Sequence, residues 1–279
     1  MATDFITILV ENTAQQPGHL AEHGFAALLN VGGRKLLFDT GAGQALIPNA
    51  KAMGIDLTSV SAVALSHGHY DHTGGLKDFL RLHHNPVTVY AHPDLFSHRF
   101  SISENDPPRY SGIDWTKGQL EQVGAVFDLT ATPTDLGSGL FLTGQIPRTV
   151  PYEHISDRFQ VKTAAGWKKD EILDDQALVI ETKTGLVVIS GCAHAGLINT
   201  LSYAQELSDN KKIAAFFGGT HLIGATDERI KSTIEALAEF DLRLIGAGHC
   251  TGFEASALLF GALRGLYRPI PVGSVFELE

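Results

Sequence analysis

Cysteine is scarce in this chain, and so are methionine and tryptophan, with two of each in 279 residues. Cys192 and Cys250 cannot build a disulfide framework, and a chain this long can bury a core without one. Basic runs are missing too. The 21 lysines and arginines face 31 aspartates and glutamates, a formal net charge of -10. An acidic chain with no basic stripe repels polyanions, so no nucleic acid partner is expected. No apolar stretch approaches the roughly 20 residues of a membrane-spanning helix, so no membrane partner is expected either. The start, Met1-Ala2-Thr3-Asp4, has an acid where a secretion signal needs a basic segment. The apolar run from Phe5 to Val10 is too short for a signal core. A cytoplasmic location is the resulting expectation.

What is present reads as a globular α/β chain, 44% hydrophobic and 19% charged. Phe5–Val10, Phe25–Val31 and Lys35–Asp39 read as strands, with Gly32-Gly33 as a two-residue hairpin turn. Gln44–Met53 reads as a helix stopped by Gly54. Val60–Leu65 is a buried strand, and Leu76, Phe79 and Leu80 form a helical stripe. Val87–Ala91 is another strand. Residues 92–175 are less regular and contain Asp106-Pro107-Pro108, so they read as an insertion over the site within one domain, 1–279. The pattern resumes with strands Ala177–Glu181 and Leu186–Ser190. Helices Leu197–Leu207, Asp227–Phe240 and Phe253–Leu266 follow, separated by strands Lys212–Phe217 and Leu242–Ala247. A last strand lies near Val272–Leu278.

The chemistry concentrates where strands end. His67-x-His69-x-Asp71-His72 places four ligand-type side chains within six residues, directly after a buried strand. A loop there can aim them at two nearby centres, and imidazole with carboxylate suits zinc, manganese or iron. Four ligands are too few for two metals. His194, His221 and His249, each beside a small residue at a strand end, are the candidates for the rest. His19, His83, His84, His92, His98 and His154 stand alone and read as surface or packing residues.

The HxHxDH segment after a strand resembles the signature of the metallo-β-lactamase superfamily. Leu36-Leu37-Phe38-Asp39-Thr40-Gly41 is similar to a second superfamily motif. The resemblance implies a four-layer αβ/βα sandwich, with Asp39 supporting the metal loop. Ala21-Glu22-His23-Gly24-Phe25, Thr143–Arg148, Asp174-Asp175-Gln176, Gly191-Cys192-Ala193-His194 and Gly218–Leu222 resemble a subgroup. It is named for dihydropterin–ribofuranosylaminobenzene phosphate synthase, an enzyme that joins a pterin to an aminobenzene ribotide.

Carried over residue by residue, His67, His69 and His194 would hold one divalent metal, and Asp71, His72 and His249 a second. Zinc is expected first, with manganese or iron as alternatives. Cys192 stands where the superfamily usually has a bridging aspartate, and it is either a bridging or flanking thiolate or a buried spectator. Asp71 and His221 are the catalytic candidates. A metal pair can lower the pKa of bound water and polarise a carbonyl or phosphoryl oxygen. The resemblance therefore implies a metal-bound hydroxide acting on a small phosphorylated or pterin-like metabolite. The alternatives are a condensing, transferase-like enzyme and a metal-binding protein without hydrolytic activity. Two-iron, flavin-linked members carry a carboxylate where this chain has His69, which sets a redox role aside. Arg148, Arg109, Glu22 and His23 are candidate substrate contacts, with Arg99 and Tyr110 as further anion-binding candidates. A homodimer is the generic expectation for a soluble enzyme.

Overall fold

A computed structural model describes residues 4–103 and 105–278. Two seven-stranded sheets carry the fold. In spatial order the first runs Val275–Leu278, Asp4–Val10, Ala26–Val31, Arg34–Phe38, Ala62–Ala64, Val87–Ala91 and Ala125–Leu129. The second runs Tyr267–Pro269, Leu244–Gly248, Ile213–Gly219, Gly185–Ser190, Ala177–Thr182, Leu140–Leu142 and Thr134–Gly137. Each sheet has an antiparallel portion and a parallel portion. The hairpin at Gly32-Gly33 forms as the sequence predicts. Both glycines have positive φ, and Val31 pairs directly with Arg34.

The strand alternation explains the layers. Leu29 and Phe38 face the second sheet and pack with Leu178, Ile180, Ile189 and Phe217. Their neighbours Leu28 and Leu37 point the other way, onto Leu46, Leu76 and Phe79 of the outer helices. On the far side, Val179, Val188 and Phe216 pack against Leu197, Leu201, Ile230 and Leu259. Helices, sheet, sheet, helices is thus the order of layers, as the resemblance implies.

The irregular stretch 92–175 is not one block. It gives Ala125–Leu129 to the first sheet, and Thr134–Gly137 and Leu140–Leu142 to the second. What stands apart is a four-stranded sheet of Gly166–Lys169, Phe159–Thr163, Arg99–Ser101 and Arg109–Tyr110. It joins the metal loop through a bridge between His69 and Gly112. Among the described residues no helix is long and apolar enough to cross a membrane.

Candidate metal centre and active site

The strand Ala62–Ala64 ends at Leu65, and the chain then turns through Ser66 and His67 into a short helix, Tyr70–Thr73. The turn is held from several directions. Asp39, itself in left-handed backbone at φ 59°, accepts from Ser66 N and Ser66 Oγ, each at 2.7 Å. Its Oδ2 also meets His72 Nδ1 at 2.7 Å. That contact leaves His72 Nε2 aimed inward, 3.2 Å from Cys192 Sγ. From below, Gly68 N donates to Asp174 Oδ2 at 2.7 Å, and Arg99 Nη2 donates to Asp174 Oδ1 at 2.7 Å. Gly191 passes so close that a Cβ there would land on Ser66 Oγ and Asp39 Oδ2, so only glycine allows the two halves to meet.

Three further loops bring the remaining candidate ligands. Asp175 Oδ2 accepts from Ala195 N at 2.8 Å and fixes the loop of His194. Glu11 Oε1 accepts from His249 N at 2.6 Å, while Asn12 Oδ1 meets His249 Nδ1 at 2.9 Å. Ala193, His221 and His249 all have left-handed backbone, at φ 52°, 46° and 51°. Such conformations cost about 1–3 kcal/mol each and gather where a site demands a particular side-chain aim.

The ligand atoms converge. His67 Nε2 and His69 Nδ1 lie 2.8 Å apart. Three groups of side chains bring one ligand atom each within 4.8 Å of one another: His67, Cys192 and His194; His72, Cys192 and His249; and His23, Asp71 and His249. Cys192 belongs to the first two groups. Asp71 Oδ2 reaches His249 Nε2 at 3.4 Å, His23 Nε2 at 3.2 Å and His72 Nε2 at 3.9 Å.

The donors suit cations. His69 Nε2 and His194 Nε2 are buried with no hydrogen-bond partner, which is costly unless something else occupies the centre they face. Burial holds His67, His69 and His194 well below the usual imidazole pKa, so they are neutral lone-pair donors near pH 7. Burial alone would lower His72 too, but Asp39 and then Asp71 outweigh it and carry its pKa to about 9. For Asp71 burial opposes ionisation. His72, with hydrogen bonds from His23 and His249, nonetheless keeps it well below the carboxylate range. Burial and the neighbouring Cys250 thiol push Cys192 up, so it is a thiol until a cation displaces its proton. His221 falls to about 3 through burial, then Arg158, then Arg229. It lines the pocket as a neutral imidazole.

Above these residues is a cavity of about 330 Å³, lined by His23, Asp71, Arg109, Arg158, Phe159 and His221 among others. His23 and Arg109, candidate substrate contacts from the sequence, both line this pocket. Two candidate contacts go elsewhere. Glu22 spends both carboxylate oxygens on the backbone N–H groups of Ala42, Gly43, Gln44 and Ala45. Arg148 donates to Ile172 O at 3.0 Å and pairs with Glu171 at 3.7 Å. Arg99 is only 1% exposed and is bound to Asp170 and Asp174, so it meets no substrate. Tyr110 gives its hydroxyl proton to Ile113 O. Arg158, Phe159 and His154 were not singled out from sequence as site residues. No motif marks any of the three.

A sandwich of two mixed sheets between helices, with histidines, an aspartate and a cysteine converging at one sheet edge, defines a metallo-β-lactamase-type protein. The chain belongs to the metallo-beta-lactamase superfamily, whose profile matches residues 21–147. It is similar over 270 residues to the 7,8-dihydropterin-6-methyl-4-(beta-D-ribofuranosyl)-aminobenzene-5'-phosphate synthase of Methanocaldococcus jannaschii. The two are 29% identical, over 92% of this chain and 90% of the synthase. An uncharacterised protein of the same organism is 31% identical over 250 residues, covering 90% of this chain and 91% of its own. The crystal structure of a metal-dependent hydrolase of the beta-lactamase superfamily superposes with a TM-score of 0.84. It shares 29% identity and covers 98% of each chain.

Proposed function

We propose that this chain is a metal-dependent condensing enzyme that joins two small metabolites, as the synthase it resembles does by name. The observation that carries the proposal is the meeting of two ligand groups at one sulfur, Cys192 Sγ, on the floor of an open pocket. In this reading His67, His69 and His194 hold one divalent ion and Asp71, His72 and His249 a second. Cys192 belongs to both groups and would offer its thiolate to either ion where relatives have an aspartate. Imidazole with thiolate favours zinc, with manganese or iron as alternatives.

The ions would supply Lewis acidity toward a substrate oxygen. The chain supplies the rest. Asp71 stays ionised and can accept a proton at Oδ2. His23, more than half exposed and 3.2 Å from that oxygen, can pass the proton to solvent. His221 donates a neutral N–H to an oxygen where charge develops. The two cysteines are free, which suits a reducing compartment, so a cytoplasmic location belongs to the same proposal.

Hydrolysis is the second reading, favoured by the likeness to a metal-dependent hydrolase. Mass spectrometry separates the two. A condensing enzyme yields a joined product only when a pterin pyrophosphate and an aminobenzene nucleotide are both supplied to the zinc- or manganese-loaded protein. Cleavage of a single phosphodiester or lactone, with no joined product, overturns condensation in favour of hydrolysis. Full turnover by His67→Ala or Asp71→Ala overturns both readings.

A further inference from the structure

A second cavity, of about 680 Å³, adjoins the one over the candidate ligands, and the two share Arg158, His221, Ile223 and Gly224 in their walls. The new wall is formed by His154, Ser156, Asp157, Lys169 and Arg229. On a chain of net charge -10 this wall is cationic. Lys169 and Asp157 pair at 2.6 Å and neutralise each other. Arg158 and Arg229 are different. The arginines paired to carboxylates within 4 Å, among the described residues, are Arg81, Arg99 and Arg148.

Both free arginines are already placed. Arg229 Nη1 donates to His154 O at 3.1 Å, while its buried Nε has no partner. Its nearest acid, Glu153, is occupied in accepting from Ile198 N and Asn199 N at 2.8 and 2.9 Å. Arg158 stacks on the Phe159 ring at 4.6 Å. That ring lies 5.4 Å from both His69 and His194 and 5.6 Å from His221. The Arg158 charge therefore stands one aromatic ring away from the proposed metal ligands.

We propose that this cationic lobe binds a phosphate monoester on the substrate, gripped by Arg158 and Arg229, while the reacting end of the molecule lies at the metal ligands. The proposal rests on the reading of the adjoining pocket as the active site. Two guanidinium groups with no carboxylate within 4 Å, at the wall of a cavity, offer the forked donors that phosphate oxygens accept, and a dianion would pair with charge that makes no ion pair now. The lobe and the pocket over the proposed metal ligands share Ile223 and Gly224 in their walls, which sets the phosphate site beside the reacting end.

The test uses the zinc-loaded full chain and three probes, glycerol 3-phosphate, glycerate and glycerol, with dissociation constants from calorimetry or 31P NMR. Glycerol 3-phosphate should bind more tightly than the other two. Arg158→Ala and Arg229→Ala should each weaken it about tenfold or more, as loss of a charge-assisted bond does. Arg158→Glu, at an exposed position, should weaken it further without altering the thermal midpoint, which separates binding from folding. His67→Ala should bind it within about threefold of wild type. Equal binding of glycerate, undiminished binding by both arginine variants, loss in His67→Ala alone, or no binding by wild type would each overturn the proposal. Metal content and turnover on the same preparations test the reading of the metal centre separately.

Discussion

Asp175 is a buried carboxyl with one oxygen on Ala195 N and the other without a partner. Burial raises its pKa to about 7, against smaller opposing effects of the Ala195 N–H and Arg148. A carboxyl whose folded pKa is raised binds its proton more tightly folded than unfolded. Its stabilising contribution is complete below the unfolded value of about 4 and is lost as the pH rises towards 7. In metal-free protein Asp175 therefore opposes the stability that the buried neutral histidines gain with rising pH, and Asp175→Asn should make the rise between those pH values steeper. Thermal midpoints from pH 4 to 8 on both proteins measure it, and parallel curves would refute it. Arg99 makes a second prediction at this scale. Removing it strands Asp170 and Asp174 as buried charges and releases Gly68, between two ligand histidines. Arg99→Leu should cost about 3–5 kcal/mol in urea unfolding and should weaken metal retention on dialysis. The sequence marks Asp174-Asp175-Gln176 as a motif but not its use. The structure shows that Asp174 holds the HxH loop, Asp175 holds the His194 loop, and Gln176 Nε2 donates to Leu65 O at 2.9 Å. None of these partners is nearby in sequence, so spacing could not reveal them.

At the scale of elements, the strands and helices with a strong hydrophobic period were legible. Val87–Ala91 and Leu197–Leu207 fall where their apolar residues predict. Helix ends were overrun, as at Phe253–Ala262, because the apolar residues beyond it, Leu263 and Leu266, pack in the same core without helical backbone. The small sheet over the site was illegible. Arg109–Tyr110 is a two-residue exposed strand, and Gly166–Lys169 is largely exposed. Such strands carry no inward alternation and are defined by pairing across the chain. Glu22 is the misread element support. Its carboxylate gathers four N–H groups ahead of helix Leu46–Ala52. Glu22→Ala should cost about 1–2 kcal/mol, the effect of losing a helix cap, seen as a lower urea midpoint. Metal content should stay at the wild-type value, and a loss of metal would instead return Glu22 to the site.

For the whole molecule, the sandwich sets a site that neither sheet could build alone. The first sheet delivers His67, His69, Asp71 and His72, and the second delivers Cys192, His194, His221 and His249. Gly191 makes a close joint against Asp39 and Ser66. The HxHxDH segment exposed the first half plainly, because four ligands in six residues have no structural explanation. The second half was legible only as single histidines at strand ends. The central place of Cys192 needed the two sheets to be brought together. Elemental analysis of the purified protein, wild type beside Cys192→Ser, His67→Ala and His249→Ala, tests this arrangement most directly. Wild type should retain about two divalent ions per chain, each histidine variant should lose one preferentially, and Cys192→Ser should weaken both. Wild type without metal, or three variants with unchanged metal content, would contradict it.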